Sequence, residues 1–117
     1  MQDFRNLKVW QKAHALTLAV YHATAHFPAD ERFGLTMSLR RTAAAIPMNL
    51  AEGCGRGTDA EMRRSLGLAM GSGGQVEYQF LLAHDLGFLP AEDHERFTAD
   101  VVEVKRMLAG LIHSING

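Results

Sequence analysis

Apolar residues recur along the chain at spacings of three and four, the rhythm that keeps them on one side of a helix turning about 3.6 residues at a time. The first such segment joins Trp10, Ala13, Thr17, Val20, Thr24 and Phe27 in one stripe, thickened by Leu16 and Tyr21, and closes at Pro28. A second runs through Leu35, Leu39, Ala43, Ile46 and Leu50, and the cluster Gly53, Gly55 and Gly57 is expected to stop it. The third opens on Thr58 and Glu61, spaced for a capping box, and continues through Met62, Leu66, Ala69, Gly73, Val76, Phe80 and Ala83. Gly87, just past Leu86, suits its carboxyl-terminal cap. The fourth begins near Pro90, a good first-turn residue, and carries Phe97, Val101, Val104, Leu108, Leu111 and Ile115.

Short connections force neighbouring helices to run antiparallel, and a sustained three-four repeat favours crossing angles near about 20°. The expected fold is therefore all-α, an antiparallel up-down-up-down four-helix bundle, with residues 1–117 as a single domain and no repeat or linker to divide it. Two places strain the pattern. Gly67, Gly71, Gly73 and Gly74 each cost the third helix roughly 1 kcal/mol relative to Ala, which implies either a flexible break or a smooth surface that lets another backbone come close. Pro47 deprives the Ala43 carbonyl of its helical partner; because the stripe stays in phase to Leu50, a kink is expected there and not an end.

Composition narrows the class. With 47% apolar and 21% charged residues the chain is too apolar for a disordered tail. Cys54 is its only cysteine, so no internal disulfide forms and a reducing compartment is the simplest home. Met1 to Lys12 is interrupted by Asp3, Arg5 and Lys8 and offers no apolar signal core, and no stretch approaches the roughly 20 apolar residues that cross a bilayer. A cytoplasmic protein without a membrane partner is expected. The formal net charge of −1 argues against a surface that is basic throughout. It conceals a gradient: from Arg32 to Arg64 six arginines face three carboxylates, whereas from Ser65 onward three cations face seven.

On the second helix Arg41, Ala45, Asn49, Glu52 and Arg56 fall within about 80° of one another, nearly opposite the apolar stripe. Such a face is either solvated, with Glu52 and Arg56 paired one turn apart, or a contact surface. Small Ala44, Ala45 and Ala51, adaptable Met48, and directed donors on Arg41 and Asn49 suit the latter.

The stretch RRTAAAIPMNLAEGCGRG, Arg40 to Gly57, resembles the four-helix proteins related to the 23S ribosomal RNA intervening-sequence protein. The likeness extends to FRNLKVWQKA (Phe4 to Ala13), HFPADERFGLTMSLRR (His26 to Arg41) and LAMGSGGQVEYQFLLAHDLGFL (Leu68 to Leu89), several blocks in the right order. Arg40, Arg41, Ile46, Pro47, Asn49, Ala51, Glu52, Gly53, Gly55 and Arg56 fit the family pattern. Ala45 replaces a usual Ser, Cys54 a common aromatic, and Gly73, Gly74 and Gln75 a typical Leu, small residue and Glu. The resemblance implies a four-helix protomer, a homopentamer and no known enzymatic activity. Relatives are encoded within insertions in ribosomal RNA genes, and similar accessory proteins of diversity-generating retroelements engage nucleic acid and a reverse transcriptase, although those are markedly basic.

Other chemistry finds little footing. The chain lacks the Glu-x-x-His pairs of a di-iron bundle. His22 and His26 stand four apart without the intervening acid of a metalloprotease helix, and His14, His84, His94 and His113 are scattered. Gly53 to Gly57 follow a helix, unlike a nucleotide-binding loop, although free amides at the start of the third helix beside Arg56 could hold an anion weakly. Cys54 has no identifiable activating neighbour. No catalytic, metal or cofactor residue is assigned. The expectation is a non-enzymatic homo-oligomeric binding or scaffold protein that presents Arg40, Arg41, Arg56, Arg63 and Arg64 to RNA or DNA. Arg41, Ala45, Met48, Asn49 and Glu52 are candidate oligomer contacts. The alternative is an adaptor that binds another protein, and a remote one is a metal-dependent enzyme using His22 and His26.

Overall fold

Each helix starts where a local acceptor or a fixed backbone angle makes starting easy. Asp3 accepts the Arg5 amide at 3.0 Å and nucleates a single turn, Phe4–Asn6, that leads directly into α1 (Lys8–Thr24). The structure is a computed structural model and describes residues 3–116. Glu31, on a second short turn, accepts the Leu35 amide at 3.0 Å and so caps α2 (Leu35–Arg56). Thr58 Oγ1 accepts the Glu61 amide at 3.2 Å and opens α3 (Asp59–Asp85), the forward half of the expected capping box. α4 (Ala91–Asn116) follows Pro90, with Glu92 and Asp93 complementing the positive end of its dipole.

Helix ends correct one expectation. Gly53 and Gly55 do not stop α2, which runs to Arg56; only Gly57, at φ 80°, takes the left-handed conformation that ends it. Gly53 instead lies against α3. A Cβ there would stand 2.9 Å from both Met62 Sδ and Ser65 Cβ, so the missing side chain is what lets the two helices approach. Gly87 does close α3 as anticipated, at φ 82°, with the Phe88 amide donating to Ala83 and the Gly87 amide to His84, both at 2.9 Å.

α3 passes unbroken through Gly67, Gly71, Gly73 and Gly74, which settles the choice left open by the sequence against a break. α2 likewise continues through Pro47, which is itself buried. The carbonyl that Pro47 leaves unpaired is met from the neighbouring helix: Thr17 Oγ1 lies 3.2 Å from the Ala43 oxygen and 2.9 Å from Ala13.

The four helices pack as a bundle around one continuous apolar cluster that contains Leu16, Val20, Leu39, Ile46, Leu50, Leu66, Val76, Phe80, Val101 and Leu108. Thr17 meets Ala43 while Thr24 meets Arg40, and Gln79 meets Ser38 while Ser65 lies beside Gly53. Glu77 meets Lys105 while His84 stacks on His94, and Lys12 meets Asp100 while Leu7 and Val9 share a cleft with Met107 and Leu111. Each sequential pair, and the pair at the ends of the chain, therefore runs antiparallel. The anticipated stripes form this core with a small rotation of α1. Val9 is buried, whereas Trp10 is half-buried and Tyr21 exposed. The result is a rod of 43 × 23 × 20 Å. Among the described residues no helix is long and apolar enough to cross a membrane.

Candidate functional site

The five candidate arginines separate into two groups. Arg40 and Arg41 sit in the first half of α2, whereas Arg56, Arg63 and Arg64 flank the α2–α3 turn, about 20 Å farther along the rod at 1.5 Å per residue. Arg40 belongs to the protomer. Its Nε donates to Thr24 Oγ1 at 2.7 Å, a terminal nitrogen donates to the Tyr21 carbonyl at 3.1 Å, and the guanidinium lies 4.7 Å from the Tyr21 ring centroid. That side chain fastens α1 to α2, a role its place in the sequence did not reveal. Arg41 is exposed, with its guanidinium 3.5 Å from Met37 Sδ.

Around the α2–α3 turn the charge is more available. Arg56 is exposed and pairs with Glu52 one turn earlier at 3.3 Å, a contact that water screens heavily. Arg63 and Arg64 are exposed, and neither has a carboxylate partner among the described residues, in contrast to Lys12, Arg96, Lys105 and Arg106, which are all paired. Along the polar stripe of α2, Asn49 donates to the Ala45 carbonyl of its own helix at 2.8 Å, Ala45 and Asn49 are half-buried, and Met48 is 68% exposed. The stripe thus points away from the core, as its spacing indicated.

Between α2 and α3 runs an open groove of about 880 Å³, lined by Leu35, Ser38, Thr42, Gly71, Gly74, Tyr78 and Leu82. Gln79 donates to Ser38 Oγ at 2.7 Å on its floor. A smaller cleft of about 340 Å³ at the α2–α3 turn is lined by Leu7, Cys54, Thr58, Met62 and Leu111. Cys54 is buried there, and burial, with a lesser push from Asp3, raises its thiol pKa above the ordinary value. That is the opposite of what a nucleophilic thiol needs.

The histidines divide differently from their sequence spacing. α1 ends at Thr24, so His22 lies in its last turn and His26 in the turn that follows. His84 and His94, distant in sequence, stack with ring centroids 4.6 Å apart, and His84 Nδ1 lies 3.0 Å from the Leu89 carbonyl. The α3–α4 register brings them together, and only a correct pairing of those helices would have found them. Among the described residues no group of three or more His, Cys, Asp or Glu gathers as a metal site would require.

Residues 5–110 match the family described as 23S rRNA-intervening sequence protein. The chain belongs to this family. The 23S rRNA-intervening sequence match takes in α1, α2 and α3 whole and most of α4, so the arginines of the α2–α3 turn lie within it. A solved structure of similar fold is a protein of unknown function from the S23 ribosomal protein family of Bacteroides thetaiotaomicron VPI-5482. It is 18% identical, with a TM-score of 0.83 over 90% of this chain and 95% of that one. That likeness extends to the fold alone. No curated protein matches the chain.

Proposed function

We propose that this member of the 23S rRNA-intervening sequence family is a non-enzymatic, homo-oligomeric binding scaffold. Each copy offers RNA or DNA the exposed arginines Arg56, Arg63 and Arg64 that flank the α2–α3 turn. The observation that carries the proposal is the adjacency of Arg63 and Arg64, both exposed and without a carboxylate partner among the described residues, in a chain whose net charge is −1. One such group per protomer is weak. Repetition around an assembly, a ring of five by the family resemblance, raises avidity by a factor of roughly 100 or more without new contacts.

Titration of a structured RNA across a salt series tests the nucleic-acid part. Phosphate recognition predicts an affinity that falls steeply with salt, and in the Arg56→Glu/Arg63→Glu variant both the affinity and the slope collapse while the helical circular dichroism is kept. RNA or DNA binding that is absent at low salt, or unchanged in that variant, rejects it. Met48, 68% exposed and bordered by Ala45 and Ala51, favours a second reading, an adaptor for another protein. For such a partner Met48→Glu weakens capture strongly and added salt does not.

A further inference from the structure

The turn that leads into α2 holds a large ring in water. Phe33 is 77% exposed, forgoing the burial that usually stabilises so large an apolar side chain. The backbone on both sides of it is pinned. The Pro28 carbonyl accepts the Glu31 amide at 2.9 Å, the Glu31 carbonyl accepts the Gly34 amide at 3.0 Å, and Glu31 Oε1 accepts the Leu35 amide at 3.0 Å. A Cβ at Gly34 would stand 2.7 Å from that Oε1, so a larger residue there would displace the capping carboxylate. Phe33 is thus presented by a fixed turn.

Around it the fold gathers a second ring and three cations. The Arg32 guanidinium lies 5.1 Å from the Phe33 ring centroid, that of Arg40 lies 4.7 Å from the Tyr21 centroid, and Arg41 stands against Met37. These six side chains line one open cleft of about 470 Å³. No carboxylate lines it, and none of the three arginines pairs with one among the described residues. Tyr21 is 46% exposed. Arg40 is committed to Thr24 and to the Tyr21 carbonyl, which leaves Arg32 and Arg41, both exposed, as the free charges.

We infer that this cleft takes an unpaired nucleotide of single-stranded nucleic acid, its base stacked on Phe33 with Tyr21 beside it and its flanking phosphates on Arg32 and Arg41. Every base has a π-face and every linkage a negative charge, so open rings next to unpaired guanidinium groups hold a single strand with little regard to its sequence. A duplex supplies the charge but keeps its base faces inside, and gains nothing from Phe33. An acidic peptide satisfies the arginines without using the ring, and an apolar one strands the cations. The inference rests on the nucleic-acid reading above, but on different residues, at the turn before α2 and not at the turn after it.

Fluorescence anisotropy with a short labelled single-stranded RNA, and with its duplex, separates the two sites. The wild-type chain is expected to prefer the single strand. Phe33→Leu keeps an exposed apolar side chain and removes the ring; it weakens single-strand binding about tenfold or more and leaves duplex binding and the thermal midpoint unchanged. Arg41→Gln lowers the salt slope for the single strand by about 0.7. Irradiation with a strand carrying 5-iodouridine joins it to Phe33 or Tyr21. The proposal is overturned if strand and duplex bind equally, if Phe33→Leu matches the wild type, or if adducts form only elsewhere. Binding lost in Arg56→Glu/Arg63→Glu but not in Phe33→Leu sinks this cleft and spares the α2–α3 turn, the reverse pattern sinks that turn alone, and no binding at low salt overturns both.

Discussion

Pro47 cannot donate to the Ala43 carbonyl, and the Thr17 hydroxyl on another helix stands 3.2 Å from it, its one proton shared with the Ala13 carbonyl at 2.9 Å. Replacing Thr17 by Val keeps the shape and removes the donor, leaving a buried carbonyl with one partner fewer. The expected loss is about 1 to 2 kcal/mol in urea unfolding. In a Pro47→Ala background residue 47 recovers its amide, so the same Thr17→Val change is expected to cost less; the difference between the two costs measures the coupling. The orphaned carbonyl is legible in the sequence, because Pro47 announces it, but its rescuer is not, since that depends on how α1 and α2 are set against each other. Arg40 teaches the same lesson from the other side: grouped by charge with Arg41, it is held by Thr24 and Tyr21 of α1. Cys54 extends the point to titration. Its pKa is raised in the fold, so its contribution to stability is fully present below the unfolded thiol pKa and is lost as pH climbs through the raised value. At neutral pH a disulfide reagent is expected to label native Cys54 far more slowly than the unfolded chain, and rapid labelling of the native protein would contradict a buried, protonated thiol.

At the scale of the helix, three glycines that look alike in GCGRG have three different roles. Gly57 supplies the positive φ that ends α2, Gly53 supplies the absence of a side chain against Met62 and Ser65, and Gly55 faces open space. Gly53→Ala is therefore expected to destabilise by about 1 to 3 kcal/mol through overpacking, even though Ala is the better helix former. Gly55→Ala, two residues on, is expected to stabilise by a few tenths to about 1 kcal/mol. Paired urea titrations of the two variants check the contrast, and equal shifts would show that α2 and α3 do not approach as closely as described. The helices themselves were legible because their stripes kept one phase through Pro47 and through four glycines. Their ends were less so: Gly53 stays helical against Met62 and Ser65 whereas Gly57 takes a positive φ, and the sequence does not say which glycine does which.

The whole molecule adds a constraint that no single helix carries. A bundle only 20 to 23 Å across buries one stripe of each helix and leaves its long sides bare. On those sides stand Met48 at 68% and Tyr78 at 60% exposure. The order of stripes was enough to give four antiparallel helices, because burying them leaves few other arrangements. It could not decide which side would face another copy, since contacts between copies leave no periodic trace in one chain. Assembly through such a side makes folding a mass-action equilibrium, so stability must rise with protein concentration. For a two-copy contact a hundredfold increase adds about 1.4 kcal/mol per chain, or about 6 °C in thermal midpoint for a domain of this size. Scanning calorimetry across that range is expected to show the rise in the wild-type chain. A wild-type midpoint that does not move would mean that the bare sides of the rod remain in water.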